Sequence, residues 1–514
     1  MYTEAYVKQL EDKITLLVQE NKRLHESVEF LTRKLFGRSS EKTSAVIGQL
    51  HLFDEAEEVA DPTIPEPTLQ EIDKYRRKKF KGQRMELLKD LPHDKVICKL
   101  DDEDLACPQC NNPLFTVGEE FIRTEIEYIP AKVRVIDYYR ESYECRSCKR
   151  TDNPYFEKSP MPYPVVMHSM ASPSSVAHVM YQKFVNALPL YRQEKDWENL
   201  GIKLSRATMA NWIIVASRDW LAPIVKLLRT KLLQEKYIHA DETTVQVLNE
   251  EGRKNTTDSY MWVYGTYYGS KTPIRIFEYQ QTRSGKHPQE FLKGFRGYLH
   301  VDAYPGYNKV PDITRCFCWS HVRRHFIDAL PKDVSSPEAT LPSIAIGYCN
   351  KLFEIETQLE SLTPEERKIQ RLEQEKPVLD AFWSWVEANA GLCLPKSKLG
   401  AAMNYAINHK EGLMAYLEDG NCSISNNLAE NCIRPFTVGR RNWLFSGSPK
   451  GADASAAVYS IVETAKANGL NPYEYLRFIF KNLPGVQFGQ YPEFLEDYLP
   501  WSPDAQEFCK RAES

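Results

Sequence analysis

Three carboxylates stand beside short apolar segments, in a pattern that could hold divalent metal ions. Asp241 follows the apolar run 237–240, Asp302 follows the run 298–301, and Glu430 falls in the first turn of a predicted helix. Hard carboxylate oxygens suit two Mg²⁺ or Mn²⁺ ions, and two such ions stabilise both the attacking and the leaving oxygen of a phosphodiester. The residue types therefore indicate an enzyme that cuts and joins nucleic acid.

Each carboxylate also has a purely structural alternative. Aspartate is common in turns and at strand ends, so Asp241 and Asp302 could shape loops. Glu430 follows Asn427 by three residues, which is the spacing of a capping box. For Glu430 alone, capping is the simpler interpretation. The three acids together, in their strand order, favour catalysis.

The segments that carry the acids predict a mixed helix and strand unit. Strand-type runs at 236–248, 260–269 and 274–280 precede a helical segment and two further strands, 297–304 and 312–319. We expect the first two aspartates at the ends of their strands. Three antiparallel strands followed by alternating helices and strands is the order of the RNase H-like fold, in which the first strand is central and carries the first aspartate.

Basic and aromatic residues surround the third acid. His321 and Arg324 follow the fifth strand, and we predict that they approach DNA phosphate or support the acids. Cys318 and His321 alone offer too few ligands for zinc, so packing is the simpler role for that pair. Further residues behind Glu430 are predicted to hold a DNA end by phosphate contact and stacking, the alternative being a solvated helix face and loop: Arg434, Arg440, Arg441 and Trp443.

Four cysteines form two CxxC pairs. Cys107 and Cys110 are separated by 34 residues from Cys145 and Cys148, and the stretch between them alternates like antiparallel strands. Each pair can grip one side of a tetrahedral Zn²⁺ ion through its thiolates. Four thiolates leave no open coordination position, so we expect structural zinc. Unpaired reduced cysteines are the alternative.

A heptad repeat spans residues 6–36. Leucine recurs every seven residues at d-type positions, while apolar residues and Asn21 occupy the a-type positions. This pattern favours a two-stranded parallel coiled coil, and hence a homodimer or higher oligomer, with Asn21 fixing the register. A single amphipathic helix packed on its own domain is the alternative.

Two regions outside the acids have features of DNA-binding segments. Residues 172–217 predict a helix, a break at Gly201 and a second helix that carries Arg206 and begins after Ser205, which is helix-turn-helix spacing. A plain helical hairpin is the alternative. The other region is the basic run 74–84, which either contacts phosphate or forms a solvated face. It includes Arg76, Arg77, Lys78 and Lys79.

The composition places few limits on function. The net charge of −4 is no signature of a nucleic-acid binder, but binding depends on local patches. Runs of 18 or more apolar residues are absent from the sequence, and the N-terminus lacks the pattern of a signal peptide. We therefore expect no membrane contact and a cytoplasmic location, associated with the nucleoid when DNA is bound.

Several long motifs resemble the main transposase of the insertion sequence 66 family, a DDE transposase. The resemblance rests on RKLFGRSSEK, the paired CxxC unit, HADETTVQVL, GYLHVDAYPGYN, CFCWSHVRRHF and a long specific block that begins NNLAENCIRPF. It covers essentially the whole chain. By motif, it implies that the catalytic triad falls on Asp241, Asp302 and Glu430, with a helical insertion before Glu430.

The resemblance implies a bacterial DNA transposase that cleaves transposon ends and transfers strands into target DNA. Its DNA partners would be the terminal inverted repeats and the target, and accessory proteins of the same element could assist. An RNase H-like nuclease without strand transfer, or an inactive DNA-binding regulator, is the alternative. The zipper, the zinc unit, the insertion and the complete set of acids favour transposition.

The predicted fold class is a multidomain α+β protein. It has an N-terminal coiled coil, a zinc-binding β unit, a helical DNA-binding domain and an RNase H-like α/β catalytic domain with a helical insertion. The predicted boundaries are 1–36 for the coiled coil, 37–90 for a linker with the basic run, 91–160 for the zinc unit, 161–232 for the helical domain, 233–330 for the first part of the catalytic core, 331–420 for the insertion, 421–482 for the second part and 483–514 for a C-terminal tail.

Overall fold

The structure is a computed structural model that describes residues 95, 97, 112–113, 132–145, 156–331 and 340–510. The predicted coiled coil, the basic run 74–84 and three of the four CxxC cysteines (Cys107, Cys110 and Cys148) lie outside these residues. Within the described part, no helix is long and apolar enough to cross a membrane.

The described helices and strands fall into three stretches of the chain. Two short strands come first: β1 (Ser142–Glu144) and β2 (Phe156–Lys158), followed by helices α1 (Pro173–Phe184), α2 (Leu190–Asn199), α3 (Arg206–Ala216) and α4 (Ala222–Leu232). The central stretch contains β3 (Tyr237–Val247), β4 (Asp258–Thr266), β5 (Arg275–Gln280), α5 (Lys286–Phe291), β6 (Gly297–Val301), β7 (Ile313–Phe317) and α6 (Trp319–Asp328). The last stretch contains α7 (Leu341–Leu359), α8 (Pro364–Gln370), α9 (Lys376–Ala390), α10 (Lys398–Asn408), α11 (Lys410–Met414), α12 (Asn427–Trp443), β8 (Phe445–Ser446), α13 (Pro449–Ala467), α14 (Pro472–Asn482) and α15 (Pro503–Lys510).

One mixed sheet organises the central stretch. Its strand order is β5-β4-β3-β6-β7, and β8 also pairs with β3. The pairs β3–β4 and β4–β5 are antiparallel, whereas β3–β6 and β6–β7 are parallel. The five predicted strand segments are therefore all strands, and β3 is central.

The prediction that the first aspartate ends its strand is wrong. Strand β3 continues through Asp241 to Val247, because β4 pairs with it along its whole length, from Ile238 to Gln246. Only the pairing with β6 stops short, at His239. The apolar run before Asp241 marks the part of β3 that is buried on both sides, and not the strand's end.

Helix α13 covers β5, the edge strand of the sheet. The helix is rich in alanine and serine and is buried over most of its length, so it can approach the strand closely. The Thr464 hydroxyl accepts the N–H of Arg275 at 3.0 Å and donates to the carbonyl of the same residue at 2.9 Å. Ser460 accepts the N–H of Phe277 at 2.8 Å. Two helix hydroxyls thus replace the missing partner strand and block the edge.

The helices between α6 and α12 enclose a second hydrophobic core. Trp319 and Phe326 of α6 pack there against aromatic residues of α9, including Phe382 and Trp383. Buried Arg371 pairs with Glu356 through two hydrogen bonds of 2.6 and 2.8 Å and donates to the carbonyl of Cys422 at 2.9 Å. The region predicted as a helical insertion is thus helical where it is described, and Arg371 ties it to the segment that leads into α12.

The helical region before the sheet follows the predicted pattern. Gly201 adopts φ +87°, which breaks the helical path, and the Ser205 side chain accepts the N–H of Thr208 as the N-cap of α3. At the other end of the chain, the predicted tail is folded: Leu495, Leu499 and Ala505 belong to the main hydrophobic core. The helices α1–α4 and the C-terminal segment therefore both pack with the sheet in one hydrophobic core.

Candidate active site

The pairing of β3 with β6 brings the two aspartates side by side. His239 lies opposite His300, an offset of 61 residues (300 − 239), and Asp241 and Asp302 differ by the same 61 (302 − 241). Gly297 makes this register possible, because it adopts φ +149° and a Cβ there would overlap the carbonyl oxygen of Lys236. That oxygen accepts the N–H of Tyr298 at 2.9 Å, the first rung between the strands.

Helix α12 fills the gap that β6 leaves along β3. Between the pairing with β6 and the pairing with β8, the carbonyls of β3 receive side chains of α12 and its N-cap. Asn426 donates through Nδ2 to the carbonyl of Ala240 at 2.8 Å, and Arg440 donates to the carbonyl of Thr244. The helix that carries Glu430 is thereby fixed to the strand that carries Asp241.

Asn426 also contacts the other elements of the site. The residue is 1% exposed. Its Oδ1 lies 3.1 Å from Nδ1 of His239, and its backbone N–H donates to Sγ of Cys318 at 3.1 Å. His239 in turn stacks on His300 with ring centroids 4.3 Å apart. Burial lowers the pKa of His239 to about 3, so the stacked rings carry no charge that would compete with ions at the neighbouring acids.

Glu430 does not cap its own helix. Helix α12 begins at Asn427, and its N-cap Asn426 makes no side-chain capping hydrogen bond. Oε1 of Glu430 is buried and has no hydrogen-bond partner among the described residues. The nearest basic groups come from α6: His321 Nδ1 at 3.9 Å and a terminal nitrogen of Arg324 at 3.8 Å. The carboxylate therefore points towards α6 and away from its own backbone.

The electrostatics of Asp241 indicate a site that favours cations. Burial raises the pKa of Asp241 to about 8, with further contributions from Glu242, Asp302 and Glu430 and an opposing one from the N–H of Glu242, which donates to Asp241 at 2.8 Å. Neighbouring carboxylates that repel one another's charge and have unsatisfied oxygens fit divalent cations. When bound, such ions supply the positive charge that offsets this repulsion.

Glu242 and Arg283 belong to the site, and sequence analysis did not identify them. The Glu242 side chain is 1% exposed, and its carboxylate is 2.6 Å from Arg283 and accepts the Tyr307 hydroxyl at 2.7 Å. Arg283 also lies 3.7 Å from Asp302 and covers the ring of Tyr304. The adjacent acids in HADE were the available signal, but only the fold shows which strand face each one serves.

Some of the residues predicted to contact DNA are exposed, and others make contacts within the protein. Arg206, Arg324, Arg434 and Arg441 are exposed. Arg440 instead bonds the backbone of β3, and Trp443 packs edge-to-face on Phe436 at 5.5 Å, with its indole N–H buried. Their sequence position beside the acid suggested DNA contact, but the structure gives both residues intramolecular contacts. Of the predicted zinc ligands, only Cys145 is described, and it is half-buried.

Four family models match successive parts of the chain. The model described as Transposase IS66 family matches residues 168–454, and the zinc-finger binding domain of transposase IS66 matches residues 104–149. The model described as Transposase C of IS166 homeodomain matches residues 23–96, and the IS66 C-terminal element matches residues 460–501. The first match alone covers more than half of the chain.

Relatives of nearly the same length occur in Sinorhizobium fredii. The uncharacterized protein y4hP is 28% identical over 501 residues, which cover 92% of this chain and 87% of that protein. The uncharacterized protein y4jD is 27% identical over 512 residues, which cover 95% of this chain and 96% of that protein. The similarity therefore extends over the complete domain arrangement and not over the central region alone.

Proposed function

Because this chain belongs to the IS66 transposase family, we propose that it cuts and joins DNA through a catalytic triad of Asp241, Asp302 and Glu430. The transposase function and DNA as the partner follow from the family, and the assignment of the three acids is our proposal. The observation that carries it is the convergence of three carboxylates, from β3, the end of β6 and α12. Burial, Glu242 and the other two members of the triad raise the pKa of Asp241.

Asp241, Asp302 and Glu430 would hold two divalent ions, Mg²⁺ or Mn²⁺. When bound, they supply positive charge that activates the attacking oxygen and stabilises the leaving oxygen. The chain's own residues hold the geometry: Asn426 and Arg440 fix α12 on β3, and Arg283 holds Asp302 and Glu242. Arg324 and His321 would face the phosphate beside Glu430.

We also propose that the sheet is of the RNase H-like class, with α7–α11 as its insertion. The order β5-β4-β3-β6-β7 supports this class, since three antiparallel strands precede two parallel ones. In the same proposal, water first attacks the phosphodiester at the transposon end. The freed 3′ hydroxyl then attacks target DNA at the same site, so no covalent protein–DNA intermediate is needed.

DNA recognition would combine several surfaces. Exposed Arg206 on α3, together with Arg434 and Arg441 on α12, would contact the terminal inverted repeats or the target. The zinc unit, with Cys107, Cys110, Cys145 and Cys148 as ligands, and the basic run 74–84 would add further contacts. Dimerisation through residues 6–36 would bring two sets of acids to two transposon ends.

The first prediction concerns the acids. Asp241→Asn and Glu430→Gln should lose end cleavage and strand transfer, because each removes a charged ligand of the proposed ions, while DNA binding stays within about twofold of wild type. The assay incubates labelled element ends with Mg²⁺ and follows cleavage and joining, and a band-shift experiment measures binding. Asp328→Asn, at an exposed position of α6, is the matched control and should keep full activity. Strand transfer by the Asp241 variant would refute the triad. Cleavage without joining in the wild type would indicate a nuclease.

A further inference from the structure

A sulfur, a nitrogen and an oxygen ligand converge beside the triad. Cys318 is the N-cap of α6, His321 lies in the first turn of that helix, and Glu430 lies in the first turn of α12. One potential ligand atom from each residue lies within 4.8 Å of the other two. The sequence presents only the C-x-x-H pair, and the packing of α12 on α6 adds the third member.

Two of the three residues present buried atoms without a partner. Nδ1 of His321 and Oε1 of Glu430 are both buried, and neither has a hydrogen-bond partner among the described residues. They face each other at 3.9 Å, too far apart for a hydrogen bond. Buried polar atoms normally have hydrogen-bond partners, and a binding site for an ion is one recognised reason for an exception.

Cys318, the third residue, has a buried sulfur atom that could act as a ligand. Cys318 is fully buried, and its Sγ accepts the backbone N–H of Asn426 at 3.1 Å. This donor, from the N-cap of α12, would stabilise a thiolate, and a bound cation would offset the charge of the buried sulfur.

We propose that Cys318, His321 and Glu430 form a site for a borderline divalent cation of the zinc class. Ligands of such an ion lie about 2.0–2.3 Å from it, so tetrahedral donors are about 3.3–3.8 Å apart. The separation of 3.9 Å between His321 and Glu430 needs only a small closure. Three protein ligands leave a fourth position for water or substrate, as in zinc sites that bind substrate.

This site and the triad would bind different classes of metal ion, because their ligands differ. It rests on the proposed function only through Glu430, which both share. Asp241 and Asp302 offer hard oxygens that suit Mg²⁺, whereas the thiolate and imidazole select a softer ion. Glu430 of α12 would therefore be shared between the triad and an ion of a different class.

The test uses the full chain with its CxxC cysteines already loaded with Zn²⁺ and follows a Co²⁺ titration by absorbance. We expect one additional Co²⁺ per chain, with a near-ultraviolet sulfur-to-cobalt charge-transfer band. Cys318→Ser should abolish the band. His321→Ala should weaken Co²⁺ binding by at least about tenfold, the smallest effect usual for groups that only support a metal ligand. Cys316→Ser is the matched control and should keep the band, because this buried cysteine is outside the cluster.

Several outcomes would overturn the proposal. The first is that the wild type shows no cobalt band. The second is that the band is unchanged in both Cys318→Ser and His321→Ala. The third is that the band is lost only in Cys316→Ser. The last outcome would place the ion at His300, Cys316 and Cys422, which also lie close together. His321 is partly exposed, so the His321→Ala variant tests the metal site even if Cys318→Ser fails to fold.

The metal site and the triad can fail separately. Asp241→Asn should keep the cobalt band and lose strand transfer. If Asp241→Asn keeps the cobalt band and still joins DNA, the triad is refuted and the metal site is not. Strand transfer by the wild type with Mg²⁺, without any cobalt band, would refute the new site alone.

Discussion

The carboxyl of Asp241 shows how the fold changes the chemistry of a single residue. In sequence it is one aspartate among many, with an ordinary pKa near 3.8, whereas in the fold burial and three neighbouring acids raise that pKa to about 8. For Glu430 the fold changes the contacts of the side chain. The capping role that its sequence position allowed is absent, and its Oε1 is left without a partner. Both carboxyls are thus costly to the fold alone, which is typical of residues placed for binding or catalysis.

This cost predicts how stability depends on pH. A carboxyl with a raised pKa holds its proton more tightly in the folded chain, so its contribution to stability is complete below pH 4 and is lost as the pH rises towards 8. In Mg²⁺-free buffer, Asp241→Asn should therefore be more stable than wild type at pH 8, by at least about 1.4 kcal/mol, the equivalent of one pKa unit. Denaturant unfolding from pH 5 to pH 8 measures the difference.

The comparison of the two proteins isolates Asp241, because Glu242, whose pKa burial also raises, is present in both. The gap in stability should narrow as the pH falls towards 5 and should shrink when Mg²⁺ is added. Parallel pH profiles for wild type and variant would contradict the raised pKa.

At the level of the elements, the site depends on how α12 and α13 complete the sheet. Each helix supplies side chains where a neighbouring strand is missing: Asn426 and Arg440 along β3, and Ser460 and Thr464 along β5. Such bonds replace the ladder of a paired strand and leave few backbone groups unsatisfied. They also fix the helices in rotation and position, which a hydrophobic contact alone does not do.

Asn426→Ala should separate α12 from β3. The change removes the bond to Ala240 and the contact with His239, and it leaves buried groups unpaired, at a cost of about 1–3 kcal/mol. Strand transfer should fall more steeply than stability, because Glu430 loses its alignment with Asp241. Thermal unfolding and the strand-transfer assay measure the two effects. Asn427→Ala, the exposed neighbour, is the control, and equal losses in both variants would show that Asn426 has no special role.

Thr464→Val tests the closed edge of β5. The replacement keeps the shape of the side chain but leaves the N–H of Arg275 without its acceptor, so we expect a loss of about 1–3 kcal/mol in the free energy of unfolding. Ser455→Ala on the same helix is the control, because its hydroxyl donates only to the carbonyl of Gly451 in its own helix. A smaller loss for Thr464→Val than for the control would contradict the role of the hydroxyl in closing the sheet edge.

At the scale of the whole molecule, the described chain has two hydrophobic cores joined at the acids. The main core contains the sheet with the helices before and after it, and the second contains the helices between α6 and α12. Tyr237 of β3 belongs to the second core, whereas the next residue of the strand, Ile238, belongs to the main core, and Phe317 at the end of β7 packs against both. The acids therefore lie where the two cores meet, so a shift between the cores would change the site.

The coiled coil is the prediction that belongs to this scale. If the predicted coiled coil provides self-association, removal of residues 1–36 should leave a monomer that keeps single-end DNA binding and loses paired-end assembly. Light scattering coupled to gel filtration gives the mass, and Asn21→Leu provides a subtler variant in which the oligomeric state becomes less specific. A truncated chain that remains dimeric would place the dimer contact elsewhere.

The sequence by itself determined the order of the elements and the identity of the acids as candidates. Periodicity predicted β3–β7, Ser205 predicted the cap of α3, and the motifs indicated the family, because all of these are properties of short segments. It could not determine that Arg440 and Trp443 make intramolecular contacts, or that Glu242 and Arg283 join the site. These outcomes depend on strand register and on the contacts of α12 and α13, which join residues nearly two hundred positions apart. Local patterns carry no record of such distant contacts, so only the tertiary structure decided them.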